Sequence, residues 1–87
     1  MECEDILDAR GLLCPLPVLK ARKRLNSMSP GMVLKVLADD PAAVVDIPHY
    51  CAESGNELVD KSADGDVQVY LIRKTQKAPS QVSPKEA

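Results

Sequence analysis

Pro15, Pro17 and Pro41 constrain the fold of this 87-residue chain most, because each stands where a segment with helical apolar spacing begins. Proline is tolerated in a first helical turn, where its missing N–H would have no partner anyway and its fixed φ already suits the helix. Cys14-Pro15-Leu16-Pro17 therefore reads as one helix start, with Cys14 at the N-cap. Asp39-Asp40-Pro41 reads as a second, with Asp40 at the N-cap and Pro41 at the first helical position.

The segments around these starts supply the rest of the fold. Ile6 and Leu7, flanked by Asp5 and Asp8, form a short first strand that leads through Arg10-Gly11 to Cys14. The first helix is expected over residues 15–26, with Val18, Ala21 or Arg22, and Leu25 on its apolar face and Leu19 widening the stripe. Lys20, Lys23 and Arg24 take the other side. After the turn Ser29-Pro30-Gly31, residues 32–38 form an apolar run of strand length, so strand, helix and strand imply a parallel crossover. The second helix is expected over residues 41–54, with Val44, Ile47 and Cys51 on one face and Gly55 as a left-handed stop. Pro48 cannot donate to the carbonyl four residues back, so this helix should bend, tighten or break there.

Residues 57–61 and 67–72 are two further strands, joined through the hairpin signal Asp64-Gly65. The fold class that follows is an α/β (α+β) two-layer sandwich in the order β-α-β-α-β-β, two helices covering one face of a four-stranded mixed sheet. Residues 1–74 make a single domain. Residues 75–87 offer almost nothing to bury and are expected to be a flexible tail without chemistry of its own.

The chain has no Trp or Phe, so its core must come from Leu, Val, Ile, Ala and Met, which bury less area per residue. Modest stability follows for a domain of this size. Residues 1–74 carry nine basic and twelve acidic side chains, a net charge of −3 with His49 neutral. That balance, with Tyr50 and Tyr70 as the only aromatics, argues against direct nucleic-acid binding. No apolar run approaches a membrane span, and no basic start precedes a hydrophobic stretch, so a cytoplasmic protein is expected. Three irregularly spaced cysteines suit a reducing compartment better than a disulfide scaffold.

At a helix N-terminus the unpaired N–H groups and the dipole favour an anion, so Cys14 is expected to have a lowered pKa and to be a nucleophile. A cysteine that merely fills a gap would not need prolines on its helix side. The residue three positions after Cys14 is Pro17, so the motif is not a dithiol redox site. A lone activated thiol can take up a group and hand it on, and sulfur carried as a persulfide fits this description.

Asp8-Ala9-Arg10-Gly11-Leu12-Leu13-Cys14-Pro15-Leu16-Pro17, with Asp39-Asp40-Pro41-Ala42 and Asp46-Ile47-Pro48, resembles the TusA/SirA family of small sulfur-carrier proteins over about residues 5–74. The resemblance implies the same two-layer architecture and a persulfide relay on Cys14. A cysteine desulfurase or rhodanese-like protein would load the thiol, and a downstream acceptor protein would receive the sulfur for tRNA thiolation, molybdenum-cofactor biosynthesis or sulfur oxidation. Gly11, Pro15 and Pro17 would present the thiol. No bound cofactor is required.

The other candidates weigh less. Cys51 falls on an apolar helix face and reads as a buried, inert thiol, and Cys3 lies among carboxylates that disfavour a thiolate. His49 and Cys51, two apart on a helix, point to different faces, so no metal site is expected. Nothing in the sequence places His49 near Cys14. Lys20, Arg22 and Lys23 are either a solvated helix face or a docking surface for an acidic partner or the phosphates of a tRNA-modifying complex, with Leu13 and Leu16 as its apolar centre. The rival reading is a regulatory or RNA-associated binding module in which Cys14 only caps a helix.

Overall fold

The computed structural model describes residues 3–75. Its elements are β1 (Asp5–Asp8), α1 (Leu16–Asn26), β2 (Val33–Ala38), α2 (Ala43–Ser54), β3 (Glu57–Asp64) and β4 (Val67–Arg73). The strands lie in the order β1-β2-β4-β3. β1 runs parallel to β2, as the right-handed crossover through α1 requires, and β4 is antiparallel to both β2 and β3. α2 carries the chain past an open position to the far edge of the sheet, and the β3–β4 hairpin returns β4 into that position. The expected architecture, two helices on a four-stranded mixed sheet, is the observed one.

The register sets the core. Leu7, Val36 and Tyr70 are Cα partners across three strands, and Leu34, Ile72 and Leu58 form the next row. With their period of two, these residues face the helices. Ala21 and Leu25 of α1 and Ala43, Ile47, Tyr50 and Cys51 of α2 close the core over them.

Several expectations shift by a residue or two. α1 buries Pro17, Ala21 and Leu25, so Ala21 rather than Arg22 completes its apolar face, and Leu19 is left 42% exposed. α2 begins at Ala43, two residues later than Pro41, because the turn at Asp40 is closed first: Ala43 N–H donates to the Asp40 carbonyl and Ala42 N–H to Asp40 Oδ1. The N-cap residue of α2 is therefore Ala42, not Asp40. Val44 then points outward, 49% exposed, and Ala43 takes its place in the core. Pro48 does not divide α2, which runs unbroken through it. Val44, whose carbonyl lies four residues back, sits on the exposed side, where water can take over the missing bond.

The hairpin is longer than expected. Asp64 pairs with Val67, so the loop is Gly65-Asp66, with Gly65 at φ +64°, rather than Asp64-Gly65. A bulge between Leu58 and Asp60 restores the alternation needed to keep Leu58 toward the core. Thr75 begins the expected tail and is tied down, its N–H donating to Asn56 Oδ1 and its hydroxyl to the Gly55 carbonyl. The remainder of the tail lies outside the described residues. Among the described residues no helix is long and apolar enough to cross a membrane.

Candidate functional site

The loop from β1 to α1 is held by the segment that joins β2 to α2. Gly11, at φ +83°, turns the chain and donates its N–H to Asp39 Oδ1 at 3.0 Å. Cys14 N–H donates to Oδ2 of the buried Asp40 at 2.6 Å. The two adjacent aspartates thus hold the thiol loop across a sequence gap of more than twenty residues, a role that their resemblance to a helix cap concealed. The Cys14–Pro15 peptide is cis.

α1 starts at Leu16 with Pro15 in the N-cap position, so Cys14 stands one residue outside the cap and the expected N-cap placement is corrected. Leu16 N–H is taken by the Leu13 carbonyl, and Pro17 has none to offer. The first two positions of α1 therefore offer the thiol no free N–H.

The exposed Cys14 thiol donates to Oδ2 of Asp46, in the first turn of α2, at 2.5 Å, so its hydrogen-bond partner is a carboxylate and not a helix N–H. That hydrogen bond, reinforced by partial burial and by the charges of Asp46 and Asp40, pushes the Cys14 pKa up. The expectation of a lowered pKa is reversed, because a carboxylate accepting from a thiol favours the protonated form.

Cys14 opens onto a shallow groove of about 330 Å³ between the two helices. α1 contributes Val18 and Arg22, one helical turn apart, and α2 contributes Asp46, His49, Tyr50 and Glu53. His49 Nε2 pairs with Glu53 Oε2 at 3.2 Å. Arg22, Tyr50 and Glu53 continue the groove toward Asn56 and Lys74. The sequence reading had left His49 away from the thiol and had assigned no role to Asp46. The signal available was the helical spacing of Asp46, His49 and Glu53, which makes one polar stripe on α2, but no local pattern says which way that stripe faces.

The basic residues of α1 divide. Arg22 lines the thiol's groove, whereas Lys20 and Lys23 line a separate hollow with Leu7, Arg24 and Ser27. Arg24 is bound to Asp5 at 2.7 Å. Leu13 is 69% exposed and Leu16 is 43% exposed, both beside Cys14 in the chain. Cys51 is buried, as its place on α2 suggested, and burial pushes its thiol up to about 11.

Comparison with known proteins identifies the family and the fold. The family described as sulfurtransferase TusA matches residues 5–74. The chain is 48% identical over 69 residues to a sulfur carrier protein TusA of Allochromatium vinosum, covering 79% of this chain and 91% of that one. Its fold superposes on the crystal structure of a SirA-like protein from Desulfitobacterium hafniense with a TM-score of 0.72 at 26% identity, over 83% of this chain and 99% of the other. With the two-layer fold and a single exposed thiol at the mouth of an interhelical groove, these matches place the chain in the sulfurtransferase TusA family of sulfur carriers.

Proposed function

We propose that this protein is a sulfurtransferase that carries sulfane sulfur as a persulfide on Cys14. The observation that carries the reading is the accessibility of Cys14 in a loop fixed at both backbone and side chain, beside an exposed apolar rim of Leu13 and Leu16. A free, accessible thiol can reach the sulfur of a docked donor, and a fixed loop limits the freedom lost on encounter.

In loading, Cys14 sulfur attacks the outer sulfur of a donor persulfide R–S–SH. The donor's S–S bond breaks, a new S–S bond forms on Cys14, and the proton given up by Cys14 ends on the departing donor thiol R–SH. Sulfane sulfur moves without net oxidation, and neither a cofactor nor a metal enters the balance. Delivery repeats the exchange with an acceptor thiol. The donor in this reading is a cytoplasmic cysteine desulfurase or a rhodanese-like protein. The receiver is a protein of a tRNA-thiolation, molybdenum-cofactor or sulfur-oxidation system. Gly11, Pro15 and Pro17 present the thiol, while Leu13, Leu16 and Arg22 meet the partner.

Intact mass after incubation with a cysteine desulfurase, pyridoxal phosphate and cysteine tests this. The wild-type chain is expected to gain about 32 Da per sulfur, reversibly by reductant and mapping to Cys14, and Cys14→Ser is expected to gain nothing. An unloaded wild-type thiol with that donor, and with a rhodanese and thiosulfate, removes the carrier reading and leaves a binding module.

A further inference from the structure

Asp46 is not needed to hold the thiol loop, which Asp39 and Asp40 already fix by its backbone. It touches the reacting atom itself. Its place in the first turn of α2 is also a favourable one for any carboxylate, since the helix N-terminus attracts negative charge. A merely structural Asp46 would stop there. The side chain instead spends one oxygen on Cys14 Sγ, and the groups facing this pair have mixed charge: Arg22 from α1, His49, Tyr50 and Glu53 from α2, and Asp40 from the β2–α2 loop. Glu53 is occupied with His49, and Arg22 is the permanent cation lining the groove that could offset a sulfur anion.

We propose that Asp46 is the positioning residue of the site, a brake that keeps the empty carrier's thiol protonated and aimed along α2 until a docking partner supplies a positive charge to Asp46. The proposal deepens the carrier reading and draws its purpose from it. A carrier that must meet a specific donor gains from a thiol that is exposed yet slow toward stray electrophiles and oxidants, since thiolate, not thiol, is the reacting form. A cation paired with Asp46 withdraws the carboxylate from the sulfur and lifts its repulsion of the developing anion, so sulfur exchange is quickened by the partner that belongs there. The chemistry asked of the partner is therefore a lysine or arginine within reach of Cys14, set beside the thiol that gives or takes the sulfur.

The test is the pH profile of carboxamidomethylation by iodoacetamide, a neutral reagent, with the adduct mapped to Cys14 by mass, in wild type, Asp46→Asn and Asp40→Asn. In Asp46→Asn the midpoint of the profile is expected to fall, and the rate at pH 7 to rise by about threefold or more, because the neutral amide no longer opposes the thiolate. Asp40→Asn, which alters the carboxylate that accepts from Cys14 N–H and leaves the Asp46 contact to the sulfur in place, is expected to move the midpoint less. An unchanged midpoint in a folded Asp46→Asn chain overturns the proposal, as does an equal or larger shift in Asp40→Asn. Should Asp46→Asn fail to fold, Asp46→Ser, which keeps a small polar group in the first turn of α2, carries the same expectations. Alkylation requires no sulfur donor, so a shifted profile in a chain whose wild type never loads would remove the carrier reading and leave the Asp46 contact standing. Loading with an unshifted profile would do the reverse.

Discussion

Two of the three free thiols of this chain differ sharply in what surrounds them. Cys14 is exposed and hydrogen-bonded to a carboxylate, while Cys51 is buried among apolar side chains. Burial alone raises Cys51 to about 11 from an ordinary 9.0, because a thiolate in the core would lose its hydration. A pKa raised by folding means that the native state holds the proton more tightly, so the stabilising contribution is complete below pH 9 and disappears as pH rises through about 11. Tyr50 and Tyr70, both raised by burial, act in the same direction. We expect stability measured by urea unfolding to decline across pH 9 to 11, with a shallower decline in Cys51→Ala. An identical slope in the variant would show that Cys51 stays solvated. The sequence exposed this contrast only in half. Cys51's place on an apolar helix stripe was legible, whereas the Cys14 microenvironment was misread, because the helix dipole is a local expectation and Asp46 arrives from another element.

α1 shows how an element can be right in its limits and ambiguous in its faces. Its period puts Ala21 and Leu25 inside, but the basic residues of positions 20–24 look like one cluster in the sequence and are two surfaces in space. Arg22 is turned toward Cys14 and α2, and Lys20 and Lys23 toward the β1 side. If Arg22 steers partners to the thiol, Arg22→Glu slows sulfur transfer several-fold while circular dichroism stays native, and Lys23→Glu slows it less. Charge at the interface acts chiefly on association, so the loss should shrink at high salt. Equal losses from the two reversals would show that Arg22 has no special part in docking, and a larger loss in Lys23→Glu would move the docking surface to the opposite side of α1. α2 carries the matching lesson. Two of the residues expected in the core, Ile47 and Cys51, are there, but Val44 exchanges with Ala43, because the buried face runs through Ala43, Ile47, Tyr50 and Cys51 at i, i+4, i+7 and i+8.

For the whole molecule the limiting quantity is the core. Without Phe or Trp, one layer of mostly aliphatic side chains, with Tyr50 and Tyr70, has to outweigh the conformational entropy of the chain. Leu25 of α1 is fully buried in the core. Leu25→Ala is expected to cost about 3 kcal/mol in urea unfolding, a sizeable share of a small domain's stability. A loss below about 1 kcal/mol would mean that the helix layer collapses onto the gap.

The amino-acid sequence by itself determined the number, kind and order of the elements, because two helix starts marked by proline, an apolar strand run and a hairpin signal are local statements that tertiary packing had no reason to overrule. It also singled out Cys14. The tertiary structure decided what surrounds that thiol: Asp39 and Asp40 as the holders of its loop, Asp46 as the acceptor of its hydrogen bond, and Arg22 and His49 across the groove. These relations depend on how far α2 is rotated and where it stands beside α1 once both are seated on the sheet. A periodic pattern fixes which residues share a helix face, but only the packed core fixes what that face meets.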